Sequence, residues 1–422
     1  MKGETGRLGR RGAELTAAVY RRVGPWSRRA AALVTALVVV SLARVDVARG
    51  QPAGETEAGL RLDLVRGPLI SSSRITGMGG AFAGVAVGID GVWRNPATLA
   101  NRPDDSTSWL DYDLTFDWLI VDASEVDFDG DGLEPDGSRE FRAVDLGLSL
   151  QFDTVAIGVI AALYGYGVEG GDAEAAGASD VAYTDVLAGI AWAIDGGSWI
   201  VGAGVQASVL AITTPEIAQG GEVALAGAAA DVGVLHRPRA APWRLGARVR
   251  LGAELEPSDE ADGQPATSGI TAAVPWQAGL GWSLFLAADP ARTYNPRLRA
   301  PPPALLDRRY LLLSTEIVVT GATGGQSLEA VVAGGRSRSS DDRPTVALHA
   351  GAEGEVFHDR VRARLGTYFE PNRFGRGLAG RLHVTGGVEI HLLEIIFDWK
   401  VTFGFDLAPG WENVSFGVGF WK

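Results

Sequence analysis

No cysteine occurs anywhere in this chain. That excludes a disulfide framework, a thiolate metal site and a lipid-modified cysteine behind a leader. Positive charge is also in short supply: 38 Lys and Arg stand against 51 Asp and Glu, a net of −13. Nucleic acid is therefore not an expected partner, because phosphate binding needs a basic footprint. Long apolar runs are missing as well. Beyond residue 43 no stretch offers the roughly 18 consecutive apolar residues of a membrane-spanning helix. The histidines, 236, 349, 358, 383 and 391, are few and scattered. No serine and histidine form a recognisable hydrolase signature, so an enzyme is not expected.

What the chain holds in abundance is glycine, 57 of 422 residues without a three-residue period. Such usage points to many tight turns and close backbone approaches rather than to collagen. With 46% hydrophobic residues the chain is too apolar to be disordered. At the N-terminus a basic stretch with Arg21, Arg22, Arg28 and Arg29 runs into fourteen uncharged residues, Ala30 to Ala43. This reads as a signal peptide, with small residues for cleavage at Ser41 and Ala43 or at Ala48. Residues 1–48 are assigned to the leader and its long basic region.

From residue 105 onward the dominant pattern has period two. Leu110, Tyr112, Leu114, Phe116 and Trp118 alternate with partners that include Asp111, Asp113 and Asp117. Trp243, Leu245, Ala247 and Val249 alternate with Arg244, Gly246, Arg248 and Arg250, and Phe397, Trp399, Val401, Phe403 and Phe405 with Asp398, Lys400, Thr402, Gly404 and Asp406. Fourteen such runs are counted. Long polar links near 123–137, 169–179, 257–270 and 322–342 alternate with tight ones near Asp153, Asp195-Gly196, His358 and Leu393. Short turns at one end and long loops at the other are the pattern of an outer-membrane barrel. Two links depart from it: 290–306 is long where a turn is due, and Pro409-Gly410 is short where a loop is due.

A soluble all-β protein would show similar alternation with the faces reversed, charges to water and aromatics to the core. Strand length decides between them. Soluble strands average about five or six residues, whereas runs of ten or more match tilted bilayer-spanning strands. Trp109, Trp118, Trp199, Trp243, Trp411 and Trp421 lie near strand ends, where interfacial girdles form.

Residues 74–104 do not alternate. They contain Gly77-Met78-Gly79-Gly80-Ala81-Phe82 and Asn95-Pro96-Ala97-Thr98-Leu99-Ala100. This segment resembles the N-terminal hatch of FadL-type outer-membrane transporters, with a glycine-rich start, an Ala/Val stretch and an Asn-Pro-Ala-x-Leu-Ala close. Arg364 to Asn372 and the terminal amphipathic strand are similar to the last strands of that family. Val87 and Gly88 stand where many relatives carry an acidic pair, and Thr98 where glycine is usual, which removes any latch built from that pair. The resemblance implies a fourteen-stranded barrel with a hatch in its lumen, and the strand count from alternation agrees. Physics supplies a reason for a hatch: sixteen to eighteen strands leave an aqueous channel, and fourteen would leak without an insert.

The expected fold is thus an all-β, transmembrane antiparallel barrel of about 14 strands, with residues 49–104 as hatch and 105–422 as barrel. The hatch motif comprises Gly77, Gly79, Gly80, Phe82, Asn95, Pro96 and Ala97. Asn95 is placed to bond neighbouring backbone and Pro96 to fix a turn. In the third barrel strand Val155, Ile157 and Val159 alternate with Ala156, Gly158 and Ile160, so both faces are apolar. The resemblance implies a kink there that opens the wall sideways, with Gly158 as the point of distortion; the equal alternative is a regular strand packed on the hatch. Asp127, Asp129 and Asp131 followed by Gly132 match the opening of a calcium loop, but the twelfth position is Ser138 rather than a bidentate Glu. A solvated acidic extracellular loop is the expectation, with weak divalent binding there as the alternative, and no cofactor is expected.

Taken together these readings predict a monomeric barrel in the outer membrane of a Gram-negative bacterium, surrounded by lipid. The resemblance implies passive uptake of hydrophobic small molecules, long-chain fatty acids or aromatic hydrocarbons, past the hatch. The rival expectation is a non-transporting barrel that scaffolds a secretion or surface-attachment machine.

Overall fold

The computed structural model describes residues 60–422 apart from 66, 103–105, 107, 122–126, 128–140, 169–178, 214–221, 258–268, 290–293, 299–308, 333–338, 341–342, 359, 375–379, 396 and 422. The leader expected over 1–48 and the first residues of the expected hatch fall outside this set.

Alternation produces long strands in sequence order. They are β1 (Leu60–Asp63), β2 (Leu110–Val121), β3 (Phe141–Phe152), β4 (Val155–Val168), β5 (Ser179–Ile194), β6 (Trp199–Thr213), β7 (Glu222–His236), β8 (Trp243–Arg250), β9 (Ala253–Pro257), β10 (Ile270–Val274), β11 (Gln277–Ala287), β12 (Tyr310–Thr320), β13 (Gln326–Ser327), β14 (Thr345–Phe357), β15 (Val361–Glu370), β16 (Arg381–Ile395), β17 (Phe397–Ala408) and β18 (Trp411–Trp421). From β2 to β18 consecutive long strands pair antiparallel, and β18 returns to pair with β2, Asn413 opposite Val121 through Trp421 opposite Asp113. The sheet has closed on itself. β8 with β9 forms one stave and β10 with β11 another, each interrupted by two residues, so among the described residues the barrel has fourteen staves.

The faces decide the solvent. Along β2, Phe116, Trp118 and Ile120 point outward and are exposed, while Asp111, Asp113, Thr115 and Asp117 point inward and are buried. The same holds for Leu245 and Val249 against Arg244 and Arg248, and for Phe403, Phe405 and Leu407 against Thr402 and Asp406. An all-round belt of exposed Leu, Val, Ile, Phe and Trp over a charged interior is inside out for water and correct for a bilayer. The chain is an outer-membrane β-barrel.

β1 does not belong to the antiparallel meander. It runs parallel to β10, Leu60 opposite Ile270 through Asp63 opposite Ala273, and parallel to β13 on its other edge, Leu62 opposite Gln326. Four residues expected to lie in the hatch therefore form part of the wall. The expected register signals did not include this strand, because LRLD is too short to show a period.

The two irregular links also find a place. Gly410, at φ 66°, completes a tight turn between β17 and β18, and the carbonyl of Gly410 accepts from the Asp127 N–H at 3.0 Å. In the long link between β11 and β12, residues 294–298 fold back under the barrel's short-turn end. Asn295 donates to the carbonyls of Pro238, Ala241 and Trp243, and the Leu298 N–H donates to Gly196 O at 3.1 Å.

Candidate functional site

From Leu64 the chain leaves the wall and runs inside the barrel to Arg102. A short helix, α1 (Ser73–Gly77), has Ser72 as its N-cap. Two 3-10 turns follow, Ile89–Trp93 and Pro96–Ala100. In the second, Asn95 is the N-cap and Pro96 takes the first turn, where its missing N–H costs nothing. The Asn95 side chain accepts from the Ala97 N–H at 3.0 Å and donates to Ala83 O at 3.2 Å and Val234 O at 3.1 Å. Asn95 thus ties the turn to the insert and to the wall. Asn101 adds a second tie by donating to the carbonyls of Val85 and Ala86.

The wall receives this insert in a groove of glycine. A methyl group added at Gly202 would collide with the backbone of Pro96 and Ala97, and at Gly233 with the Asn95 side chain. At Gly246 it would meet Ala83 O, at Gly281 the Gly84 backbone, and at Gly351 and Gly366 the backbone of Met78 and Gly79. These glycines are cross-strand partners: Gly202 with Gly233, Gly246 with Gly281, Gly351 with Gly366. The insert's own glycines answer them. Gly79, at φ 60°, lies against Thr367, and Gly80, at φ 76°, against His349 and Leu69; both conformations suit glycine alone. The sequence signal was one glycine at inward parity near the middle of successive strands.

Wall carboxylates hold the insert's backbone. Glu316 accepts from the N–H groups of Phe82 at 2.9 Å and Ala83 at 2.8 Å through one oxygen, and from Arg94 at 2.6 Å through the other. Asp117 accepts from the Ser73 N–H at 2.8 Å and hydroxyl at 2.7 Å. Asp113 accepts from the Ile89 N–H at 2.7 Å. All three carboxylates are buried. The latch that Val87 and Gly88 cannot make inside the insert is supplied from the barrel side. Charge-assisted bonds of this kind are about twice as strong as neutral ones.

The remaining motif residues fall into the same interface. Gly77 abuts Arg364 and the backbone of Gly386 and Gly387. Phe82 is fully buried in a cluster with Ile75, Met78, Val85, Phe285, Tyr294 and Leu312, and Ala97 in another with Ile89, Leu99, Ile160, Leu187, Ile200 and Leu235. Tyr294 joins the 294–298 link to the insert: it stacks on Phe285 at 4.8 Å, and Arg244 lies over its ring while donating to Val85 O at 3.1 Å.

Ala156, Gly158 and Ile160 point inward on β4. The pairing of β4 runs unbroken through Gly158 on both edges, to β3 and to β5. The expected distortion is absent from this structure, because the glycine makes room for Leu99 and Ile89 of the insert. The interrupted staves lie elsewhere, at Leu251-Gly252 and at Pro275-Trp276. Of the acidic triplet, Asp127 sits 3.8 Å from Arg381, while Asp129 and Asp131 lie outside the described residues. Among the described residues no group of three or more His, Asp or Glu is placed to hold a metal ion.

A cavity of about 150 Å³ remains inside the barrel. Its lining mixes apolar residues, among them Leu64, Leu69, Ile70, Val274, Pro275 and Val318, with polar ones such as Arg94, Arg248, Arg373, His349 and Glu370. Arg248 is paired with Asp231 at 2.6 Å and Arg373 with Asp63 at 2.6 Å. His349 bonds the Gly79 carbonyl through Nδ1 at 2.7 Å and stacks on Tyr368.

No protein-family model matches this chain. No curated protein matches it in sequence. Solved structures do match it in fold. A TodX deltaS2S3 mutant monoaromatic hydrocarbon channel superposes with a TM-score of 0.53 at 14% identity, covering 83% of this chain and 98% of that one. The P. putida toluene transporter TodX gives 0.51 at 13% identity over 83% and 98%. The CymD monoaromatic hydrocarbon channel gives 0.50 at 13% identity over 83% and 96%. The chain has the fold of these FadL-type barrels.

Proposed function

We propose that this barrel passes hydrophobic small molecules passively across the outer membrane, and that it favours solutes of monoaromatic size over long-chain fatty acids. The observation that carries the reading is a partly open cavity of about 150 Å³ beside a buried insert. A space of about that size accommodates one benzene-sized molecule, whereas a long acyl chain needs more room. The apolar lining residues supply the burial that drives an aromatic ring out of water. The solved barrels of the same fold are described as channels for monoaromatic hydrocarbons and for toluene, which supports the same choice.

In this reading residues 49–104 act as a hatch, and a solute moves when the hatch shifts within its glycine groove. Nothing covalent happens to the solute. The barrel works as a monomer in lipid, and its chemistry requires no cofactor.

Uptake of labelled toluene and of a labelled long-chain fatty acid is to be compared in cells with and without the barrel. The expected result is saturable, barrel-dependent uptake of toluene that exceeds that of the fatty acid. An Asn95→Ala barrel, deprived of the ties to Ala83 and Val234, is expected to change that rate. If a barrel folded in the outer membrane moves neither solute, the transport reading fails and a scaffold takes its place.

A further inference from the structure

Among the described residues the wall of this barrel has a place where its own meander does not close it. β11 pairs with β12 up to Gln277 opposite Thr320, and beyond that point the two staves part. Pro275 removes a donor from the stave, and Trp276 packs its indole against Gly321 while accepting the Gly321 N–H at 2.8 Å. β10 continues past the kink with no partner from the β12 stave, and the gap is filled by β1. A segment from the chain's N-terminal part thus serves as a wall strand at the long-loop end, the outward-facing end in barrels of this type.

We infer that the seam between β10 and β13, stopped by β1, is the gate through which apolar solutes reach the cavity. The inference rests on the transport reading. Three observations carry it. The first is that β1 is weakly secured in the wall: four residues meet β10 and two meet β13, whereas β5 and β6 pair over fifteen. Local opening starts where hydrogen bonds are fewest. The second is that the cavity lies directly behind the seam, since Leu64 and Val65, which follow β1, line it together with Val274, Pro275, Val318 and Thr320. Withdrawal of β1 would carry with it Leu64 and Val65, which line the cavity. The third is the outer surface beside the seam. Trp276 and Leu251 are exposed there, and tryptophan marks the headgroup level of a bilayer. Solutes that have partitioned into the outer leaflet collect at this height.

The stopper is held by polar pins rather than by packing alone. Asp63 accepts from Arg373 at 2.6 Å and from the Thr323 hydroxyl at 2.5 Å. Arg61 pairs with Glu254 at 2.8 Å on the exposed side. Such contacts break and re-form as units, so the seam has a defined closed state.

The absence of cysteine makes the test clean. Leu62→Cys with Ala272→Cys joins β1 to β10 at facing positions, within the spacing a disulfide spans between adjacent strands. Ala161→Cys with Val186→Cys joins β4 to β5 on the outer face as control. Toluene uptake is expected to fall at least tenfold when the first pair is oxidised and to recover on reduction with dithiothreitol, while the control pair transports equally in both states. Uptake that is unchanged by oxidation of the first pair overturns the gate and leaves the transport reading standing. Absence of uptake in the wild-type barrel overturns both. Should the first pair fail to assemble, Asp63→Asn decides: removal of the pin is expected to raise uptake severalfold, and an unchanged rate overturns the gate.

Discussion

The two flanks of the insert are held in different ways. The segment from Ser73 to Ala83 lies against β2, β12 and β14–β18, where wall carboxylates and a histidine meet its backbone one by one: Asp117 at Ser73, Glu316 at Phe82 and Ala83, His349 at Gly79. The segment from Ile89 to Ala100 lies against β3–β7, where the wall presents Ala156, Ile160, Leu187, Ala191, Ile200 and Leu235. Bonds with direction fix a position. Apolar contact is proportional to area and tolerates sliding along a smooth groove. The second segment keeps ties of its own, Ile89 to Asp113, Arg94 to Glu316 and Asn95 to Val234, but its larger apolar face makes it the slider and the first flank the anchor, which bears on how a hatch can move without leaving the barrel.

The sharpest way to break this comparison is Glu316→Ala. It leaves Arg94 without its partner and two buried N–H groups without an acceptor. Loss of one member of a buried ion pair costs about 3–5 kcal/mol, and the denaturant midpoint of the barrel in detergent is expected to fall accordingly. On the other flank Leu99→Ala removes an almost fully buried side chain that fits against Gly158 and Gly189. A cost of roughly 3 kcal/mol is expected in the same assay. If Leu99→Ala proves the more damaging of the two, the assignment of anchor and slider is reversed. The smallest effect is a rate difference. Single cysteines at Thr98→Cys and Thr76→Cys, both fully buried positions, report each flank separately. A small thiol reagent is expected to label position 98 about tenfold faster, corresponding to roughly 1.4 kcal/mol between the two opening equilibria.

The barrel itself was legible because period two is a local property: alternating runs announced their inward and outward faces, and the fourteen runs counted match the fourteen staves among the described residues. Face assignment followed from strand length alone, and Asp111, Asp113 and Asp117 do point inward. The glycine motif and the Asn95-Pro96 turn were visible for the same reason, as local departures from alternation. What could not be read was anything made by distant partners. Glu316 looks like any inward carboxylate until Phe82 is placed beside it, and Gly246 shows its use only against Ala83. β1 carries four residues and no period, so its place beside β10 was invisible. Gly158 was read as a point of distortion, since a glycine within a strand signals either a bulge or a close approach. The structure shows the second.

The parallel strand β1 has a consequence for how the molecule is made. Its partners β10 and β13 are synthesised long after it, and hairpins β2–β3 through β11–β12 need only neighbours to form. Contacts between distant segments bear the loop-closure entropy and form late. The seam is thus, with the closure of β18 onto β2, among the last joints of the barrel to be made, and by then the chain behind β1 must already be inside. A barrel that zipped shut first would trap its own plug outside, so the joint that waits for β1 also sets the order of assembly.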